Sequence, residues 1–408
     1  MNSNTSDEAP YAWVVVWACF VALAVIFGVS YSFAAFFESF SNAFDAQRAD
    51  VSLVFGLSGL IYFLMGAGAG ILADRFGPRR VTGAGMVVIA LGLLGASFAT
   101  SLNQVILAYG VGVGIGVGLV YVPAIGSVQP WFRRRRGLAA GLASAGIGAG
   151  TLLGPLAVAW AIEALGWRGA LQALAGAVLL IGLSATWRLR RAPISQASAV
   201  AAPLGGDPGW AGMRLGEALR TPRFRWLYAM TLLAAPSMFV PFAHVSAAAR
   251  DLGVDSTQAV GLVGLIGIGS LVGRFGIGAL ADSLGRPLTL VLAQAAMGLS
   301  FLCWAVAGGY PAMAVFALLL GLSYGGIVSL LPALCMDFFG GRAVASVIGV
   351  LYTGAALGNL GGPWVAGWVF DQTASYAWVV WGCMGFSALS TWAAWLAVRP
   401  ERTLAAAS

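Results

Sequence analysis

The stretch Gly68-Ala-Gly-Ile-Leu-Ala-Asp-Arg-Phe-Gly77 returns as Gly276-Ile-Gly-Ala-Leu-Ala-Asp-Ser-Leu-Gly285, so that residue 68 falls on residue 276, a shift of 208 positions. The same shift carries Gly70 onto Gly278, Asp74 onto Asp282 and Gly77 onto Gly285. Further along it places Gly150 on Gly358, Gly154-Pro155 on Gly362-Pro363, Trp160 on Trp368 and Glu163 on Asp371. One shift holding across separated patches is the mark of a duplicated unit.

The unit is a membrane unit. The chain has 408 residues, 60% hydrophobic and 9% charged, which no soluble domain matches. A helix needs roughly 20 apolar residues to cross a hydrocarbon core of about 30 Å, and twelve such runs are present, at 11–37, 51–74, 81–99, 104–129, 137–161, 167–188, 224–249, 259–282, 287–307, 311–337, 343–370 and 377–398. The expected architecture is an all-α membrane protein of twelve transmembrane helices in two pseudo-symmetric six-helix halves, 11–188 and 224–398. Tails at 1–10 and 399–408 flank them, and a linker at 189–223 rich in Ala, Ser, Pro, Gly and Arg joins them. Within it WAGMRLGEALR has the pattern of a short surface helix.

All 22 cationic residues are arginine, and they alternate by loop. Arg75, Arg79 and Arg80 follow span 2, Arg133 to Arg136 follow span 4, and Arg188, Arg190, Arg191, Arg214, Arg220, Arg223 and Arg225 surround the linker. Arg286, Arg342, Arg399 and Arg402 fall on the same side, and only Arg48, Arg168 and Arg250 on the other. The positive-inside rule therefore puts both termini in the cytoplasm. The net charge of +7 is thus a topology signal, with no nucleic-acid partner implied. Asp7 and Glu8 precede the first run where a cleavable leader would carry cations. Cys19, Cys303, Cys335 and Cys383 fall inside spans without metal-ligand spacing. No cofactor, metal or enzymatic nucleophile is expected. The series GVGVGIGVGLVY (110–121) reads as close helix packing, since no strand precedes it.

Gly70-Ile-Leu-Ala-Asp74-Arg75-Phe-Gly77-Pro-Arg79-Arg80 resembles the signature loop of the major facilitator superfamily, and Gly278, Asp282 and Arg286 form a degraded second copy with Ser283 in place of the basic residue. The resemblance implies a role in gating. FGVSYSFAAFFESF (27–40) and WFRRRRGLAAGLASAGIGAGTLLGP (131–155) look like the corresponding regions of monocarboxylate transporters and their bacterial relatives, which include oxalate/formate antiporters. A secondary transporter in the inner (plasma) membrane, working as a monomer among lipid, is what the resemblance implies.

The chemistry converges on Arg274. It lies eight residues from Asp282, about 12 Å inside the bilayer, where a charge is expensive and functional by default. No Asp or Glu falls near mid-membrane in any span to pair with it. A planar, permanent cation without a counter-ion is matched to a carboxylate, and monocarboxylate transporters carry a substrate-binding arginine at the position Arg274 matches. His244, the single histidine, lies in FVPFAHVSAAARD of span 7 beside Pro236 and Pro241, where it can carry a proton, bind substrate or simply pack. Tyr31, Tyr121, Tyr324 and Tyr352 offer hydroxyls that need partners, with Asn359 and Ser270 behind them. Two features of the mammalian relatives are missing: Ser270 stands where they have an Asp, and no lysine exists for span 1. Nor is there the second intramembrane cation of oxalate/formate antiporters. The expected function is alternating-access transport of small monocarboxylates, lactate- or pyruvate-like, with a proton. An organic-anion exchanger and a non-transporting ligand sensor are the alternatives.

Overall fold

In hydrocarbon every backbone N–H and C=O must find its partner within the chain, so the long apolar runs fold as helices. The computed structural model describes residues 10–132, 136–190, 212–340 and 344–399. Most of the linker, Arg133 to Arg135, Arg342 and both tails lie outside them, as do the side chains of Asp74 and Arg136.

Span 1 is Pro10–Tyr31 continued by Phe33–Phe44; span 2 is Arg48–Phe76 and span 3 Pro78–Ser97. Span 4 passes from Leu102–Val105 through a wider π-helical turn, Ile106–Val113, into Gly114–Val128. Spans 5 and 6 share Arg136–Ala177, broken at Gly166, and span 6 continues through Val178–Gly182 and Leu183–Thr186. The second half comprises span 7 (Pro222–Asp251), span 8 (Ser256–Leu284), span 9 (Arg286–Ala305), span 10 (Tyr310–Phe339), span 11 (Val344–Thr373) and span 12 (Ala377–Val398). Span 1 outruns its expected end because Phe33, Phe36, Phe37 and Phe40 bury a whole face of its last turns. Of the surface helix in the linker, six residues, Leu215–Arg220, are helical, opened by a Glu217 carboxylate that accepts from the Arg214 N–H at 2.9 Å.

The duplication is written into the backbone. Left-handed φ occurs at Asp45 (48°) and Gly253 (78°), at Gly77 (90°) and Gly285 (84°), and at Gly166 (69°) and Ala374 (50°). Each pair is separated by the same 208 positions that relate the two sequence motifs. Only Gly340, among the described residues, has left-handed φ without such a mate. Packing repeats too. Gly150 and Gly154 let span 5 lie against Ala24 and Gly28 of span 1, where a Cβ would collide with backbone. Their counterparts Gly358 and Gly362 do the same for span 11 against Ala235 and Pro236 of span 7.

The halves meet along spans 2 and 11, spans 5 and 8, and span 7 with the last turns of span 1. Both described ends of the chain lie on one face, the terminal face; Arg48, Asp251 and Asp371 lie on the opposite, far face.

Candidate functional site

Between the halves lies a cavity with about 680 Å³ of empty space, its open mouth included. Its lining is mostly apolar, with Phe27, Phe63 and Phe239 among the larger groups, and Arg274 is the one formally charged residue in it. Span 8 delivers that arginine to the middle of the membrane by packing tightly on span 10: a Cβ at Gly273 would run into the Leu322 carbonyl, and one at Gly269 into that of Leu318. Nε and Nη2 of Arg274 are buried and have no hydrogen-bond partner. Three expected hydroxyls, of Tyr121, Tyr324 and Tyr352, share the cavity with Arg274, and the structure adds Tyr62, Thr231 and Gln294. Thr231 already donates to the Leu227 carbonyl at 2.9 Å.

Above the cavity, toward the far face, Tyr31 and Tyr324 join the halves through their hydroxyls at 3.2 Å. Tyr31 also stacks on Phe242 with ring centroids 4.1 Å apart. Together they form an aromatic roof. Tyr31 and Asn359 line a smaller neighbouring cavity, and Asn359 Nδ2 donates across the halves to the Gly56 carbonyl at 3.2 Å. Ser270 is buried with its Oγ unpartnered, outside the main cavity.

His244 stands beyond this roof. Span 7 presents Met230, Thr231, Ala234, Met238 and Phe239 to the cavity, and His244 lies more than a turn further along, in a closure at the far face. There Arg48 grips Asp251 with both terminal nitrogens, at 2.7 and 2.8 Å, and stacks over Phe370 at 3.8 Å. The Asp371 carboxylate accepts from the Arg48 and Ala49 backbone N–H groups at 3.1 and 2.9 Å, capping span 2 from span 11. Glu163, its counterpart in the duplication, faces Thr257 of span 8 at a looser 3.5 Å. Arg250 pairs with Glu38 of span 1. These ion pairs tie one half to the other, whereas Arg286–Asp337 at the terminal face lies within the second half.

The hydrogen bonds around His244 have a single consistent direction. Pro363 O can only accept, so Nε2 at 2.9 Å carries the proton and shares it with Ser52 Oγ at 3.0 Å. The Ser52 hydroxyl donates in turn to the Arg48 carbonyl at 2.6 Å. Nδ1 then accepts from the Tyr376 hydroxyl at 3.0 Å, and the Tyr376 oxygen accepts from Arg48 Nη1 at 2.8 Å. A neutral imidazole fits this network with both ring nitrogens answered.

The sequence profile of the Major Facilitator Superfamily matches residues 18–245 and 233–408. Monocarboxylate transporter 13 of Rattus norvegicus is 31% identical over 379 residues, covering 92% of this chain and 86% of that protein. The chain belongs to the major facilitator superfamily, in its monocarboxylate transporter family. Monocarboxylate transporter 3 of Rattus norvegicus is 33% identical over 383 residues, covering 90% of this chain and 76% of that protein. A bacterial homolog of the human lysosomal transporter Spinster, solved inward-facing and unoccupied, superposes with a TM-score of 0.72 at 16% identity, covering 96% of this chain and 97% of its own. That likeness shows the fold.

The signature loops of this transporter turn at Gly77 and Gly285 in the same conformation, φ 90° and 84°. A Cβ added at Gly70 would meet Val122 of span 4 at an ordinary contact distance, while one at Gly278 would meet open space. Arg79 stacks over Trp187 at 4.3 Å and Arg75 over Phe76 at 5.2 Å. Arg80 and Asp282 are exposed. The sequence-based expectations include His244 but leave out Gln294 and the partners that close the far face around the histidine. The signals were a carboxamide inside an apolar run of span 9, and two arginines, Arg48 and Arg250, set against the positive-inside bias.

Proposed function

We propose that this transporter moves small monocarboxylates, lactate- or pyruvate-like, together with a proton, across the inner (plasma) membrane by alternating access, with the terminal face cytoplasmic. One observation carries the reading: Arg274 holds two buried, unpartnered nitrogens toward a cavity whose lining contains no carboxylate. A single guanidinium neutralises a monoanion, and its planar fork suits a carboxylate's two oxygens. Tyr121, Tyr324 and Tyr352 orient the bound acid, with Tyr31, Asn359 and Ser270 supporting them around the roof and span 8. The halves 11–188 and 224–398 rock about this site while the signature loops gate the cytoplasmic side. The transporter works as a monomer in lipid.

His244 couples the proton through the closure rather than by touching the acid. A second proton would sit on Nδ1, facing the Tyr376 hydroxyl, whose oxygen already takes Arg48 Nη1. The Tyr376 proton would then lose its acceptor beside two cations. Asp251 and Glu38 are held in ion pairs with Arg48 and Arg250, and Asp371 is taken up by two backbone N–H groups, so no free carboxylate stands against the imidazole. The far face therefore closes only on a neutral His244, after a proton gathered there has moved inward with the acid.

The test is uptake of labelled lactate into proteoliposomes with and without an inward proton gradient. Gradient-dependent accumulation is expected, abolished in Arg274→Gln and not restored in Arg274→Lys; undiminished saturable uptake in Arg274→Gln overturns the site. His244→Gln should retain lactate exchange while losing gradient-driven accumulation, and full accumulation in that variant removes His244 from coupling. A second reading, organic-anion exchange, draws on the absence of His244, Asp and Glu from the cavity lining. Substrate-for-substrate exchange indifferent to the pH gradient would select it.

A further inference from the structure

Among the groups lining the cavity, Gln294 has hydrogen-bonding capacity that nothing in the protein uses. Its side chain is fully buried, and neither Oε1 nor Nε2 has a partner. Spans 8 and 9 form a hairpin turning at Gly285. Along the helix axes Gln294 lies about 14 Å and Arg274 about 16 Å from that turn, so the carboxamide and the guanidinium reach the cavity at nearly the same depth. A buried amide left unanswered is unfavourable. Here it shares a cavity with the cation that would hold the carboxylate.

We propose that Gln294 reads the oxygen on C2 of the substrate, making the site selective for 2-hydroxy and 2-oxo monocarboxylates over unsubstituted acids of the same length. This rests on the carboxylate role of Arg274 proposed above. A carboxamide suits both substrates, because Oε1 accepts from a hydroxyl and Nε2 donates to a hydroxyl or a keto oxygen. With the carboxylate fixed on Arg274, C2 is one bond away, so its oxygen lies near the depth at which the carboxamide lines the same cavity. Thr231 competes poorly, its hydroxyl being committed to a backbone carbonyl. An unsubstituted acid leaves the amide orphaned, and rejection for that reason is on the order of tenfold or more.

The experiment compares uptake of labelled lactate and propionate as kcat/KM ratios in proteoliposomes, for wild type, Gln294→Leu and Gln294→Met. Wild type should favour lactate by about tenfold or more. In the variants the ratio should fall to near one while propionate uptake persists, which also reports that they are folded. Gln294→Met keeps the length of the side chain and stands in if the leucine variant fails to yield monodisperse protein. A wild-type ratio near one, or a variant retaining the wild-type ratio, overturns the assignment. Uptake of neither acid by wild type overturns the monocarboxylate reading itself, a result distinct from loss of selectivity alone.

Discussion

Replacing Arg48 with alanine should unlatch the far face. In the structure this side chain makes a two-pronged ion pair with Asp251, donates to Tyr376 and stacks over Phe370. The pair is partly exposed, at 21% and 38% side-chain accessibility, so solvent screening limits it to about 1 kcal/mol. The charged hydrogen bond to Tyr376 is more sheltered and contributes roughly 1.5 kcal/mol, and the stacking about 0.5 kcal/mol. The sum, about 3 kcal/mol, lowers the closed-to-open ratio about 100-fold. A closure populated 99 to 1 would fall to near parity. Spin labels on cysteines introduced at Ser101 and Val306, both exposed at the far face and in different halves, report the change as a distance distribution. The four native cysteines are replaced first. Wild type should give one short population and Arg48→Ala a second, longer one. An unchanged distribution in Arg48→Ala, with the protein folded, would show that the closure is held by apolar packing and that the polar network is incidental.

Asp371→Asn should open the same face by about 1–2 kcal/mol, because it withdraws a charged cap from two backbone N–H groups. Glu163→Gln, at its looser equivalent, should shift the spin-label distances by less than about 0.5 kcal/mol in population terms. Ala374→Gly should raise the melting temperature in detergent by about 1–2 °C, since alanine holds a left-handed φ of 50° where the first half has Gly166. Gly166→Ala should lower it. Gly154→Val forces spans 1 and 5 apart, a Cβ there lying 2.6 Å from Gly28 Cα, and should cost about 3 kcal/mol or abolish monodisperse expression. Gly276→Ala, which meets open space, should express as wild type.

The fold was legible because a hydrophobic run long enough to cross a bilayer has few alternatives to a helix, and because one shift aligned two halves. Even the kinks follow that shift, as Gly166 and Ala374 show. Arg274 was legible for a similar reason: a charge at mid-membrane is costly wherever the helix points. His244 could be placed by depth, yet depth does not reveal which side of the roof a residue occupies. That depends on how span 7 rotates against spans 2, 11 and 12, and the bonds to Ser52, Pro363 and Tyr376 come from three different segments. Gln294 escaped because an uncharged amide raises no alarm in sequence; its significance arises only when both polar atoms prove to have no partner.

The duplication extends to the scaffold and stops at the chemistry. By the shift of 208, Arg274 corresponds to Gly66, Gln294 to Met86, His244 to Phe36 and Tyr324 to Gly116. Arg274 and Gln294, which bring the cation and the carboxamide to the cavity, thus have a small and an apolar counterpart in the first half. The first half instead supplies Phe27, Tyr62, Phe63 and Tyr121 to the cavity. Two halves of one repeated fold therefore present unlike walls, both aromatic but only the second carrying a cation. With Arg274 holding the carboxylate as proposed, an acid bound between them has one favourable orientation, carboxylate toward span 8 and carbon chain toward spans 1, 2 and 4. Rocking the halves then changes which face is open while the anchor stays with one half. On this logic the variants should separate by wall: Arg274→Gln should abolish uptake of every acid, whereas trimming the aromatic wall, as in Tyr121→Phe or Phe63→Ala, should change which chain length is preferred. Loss of all uptake in folded Phe63→Ala would contradict that division.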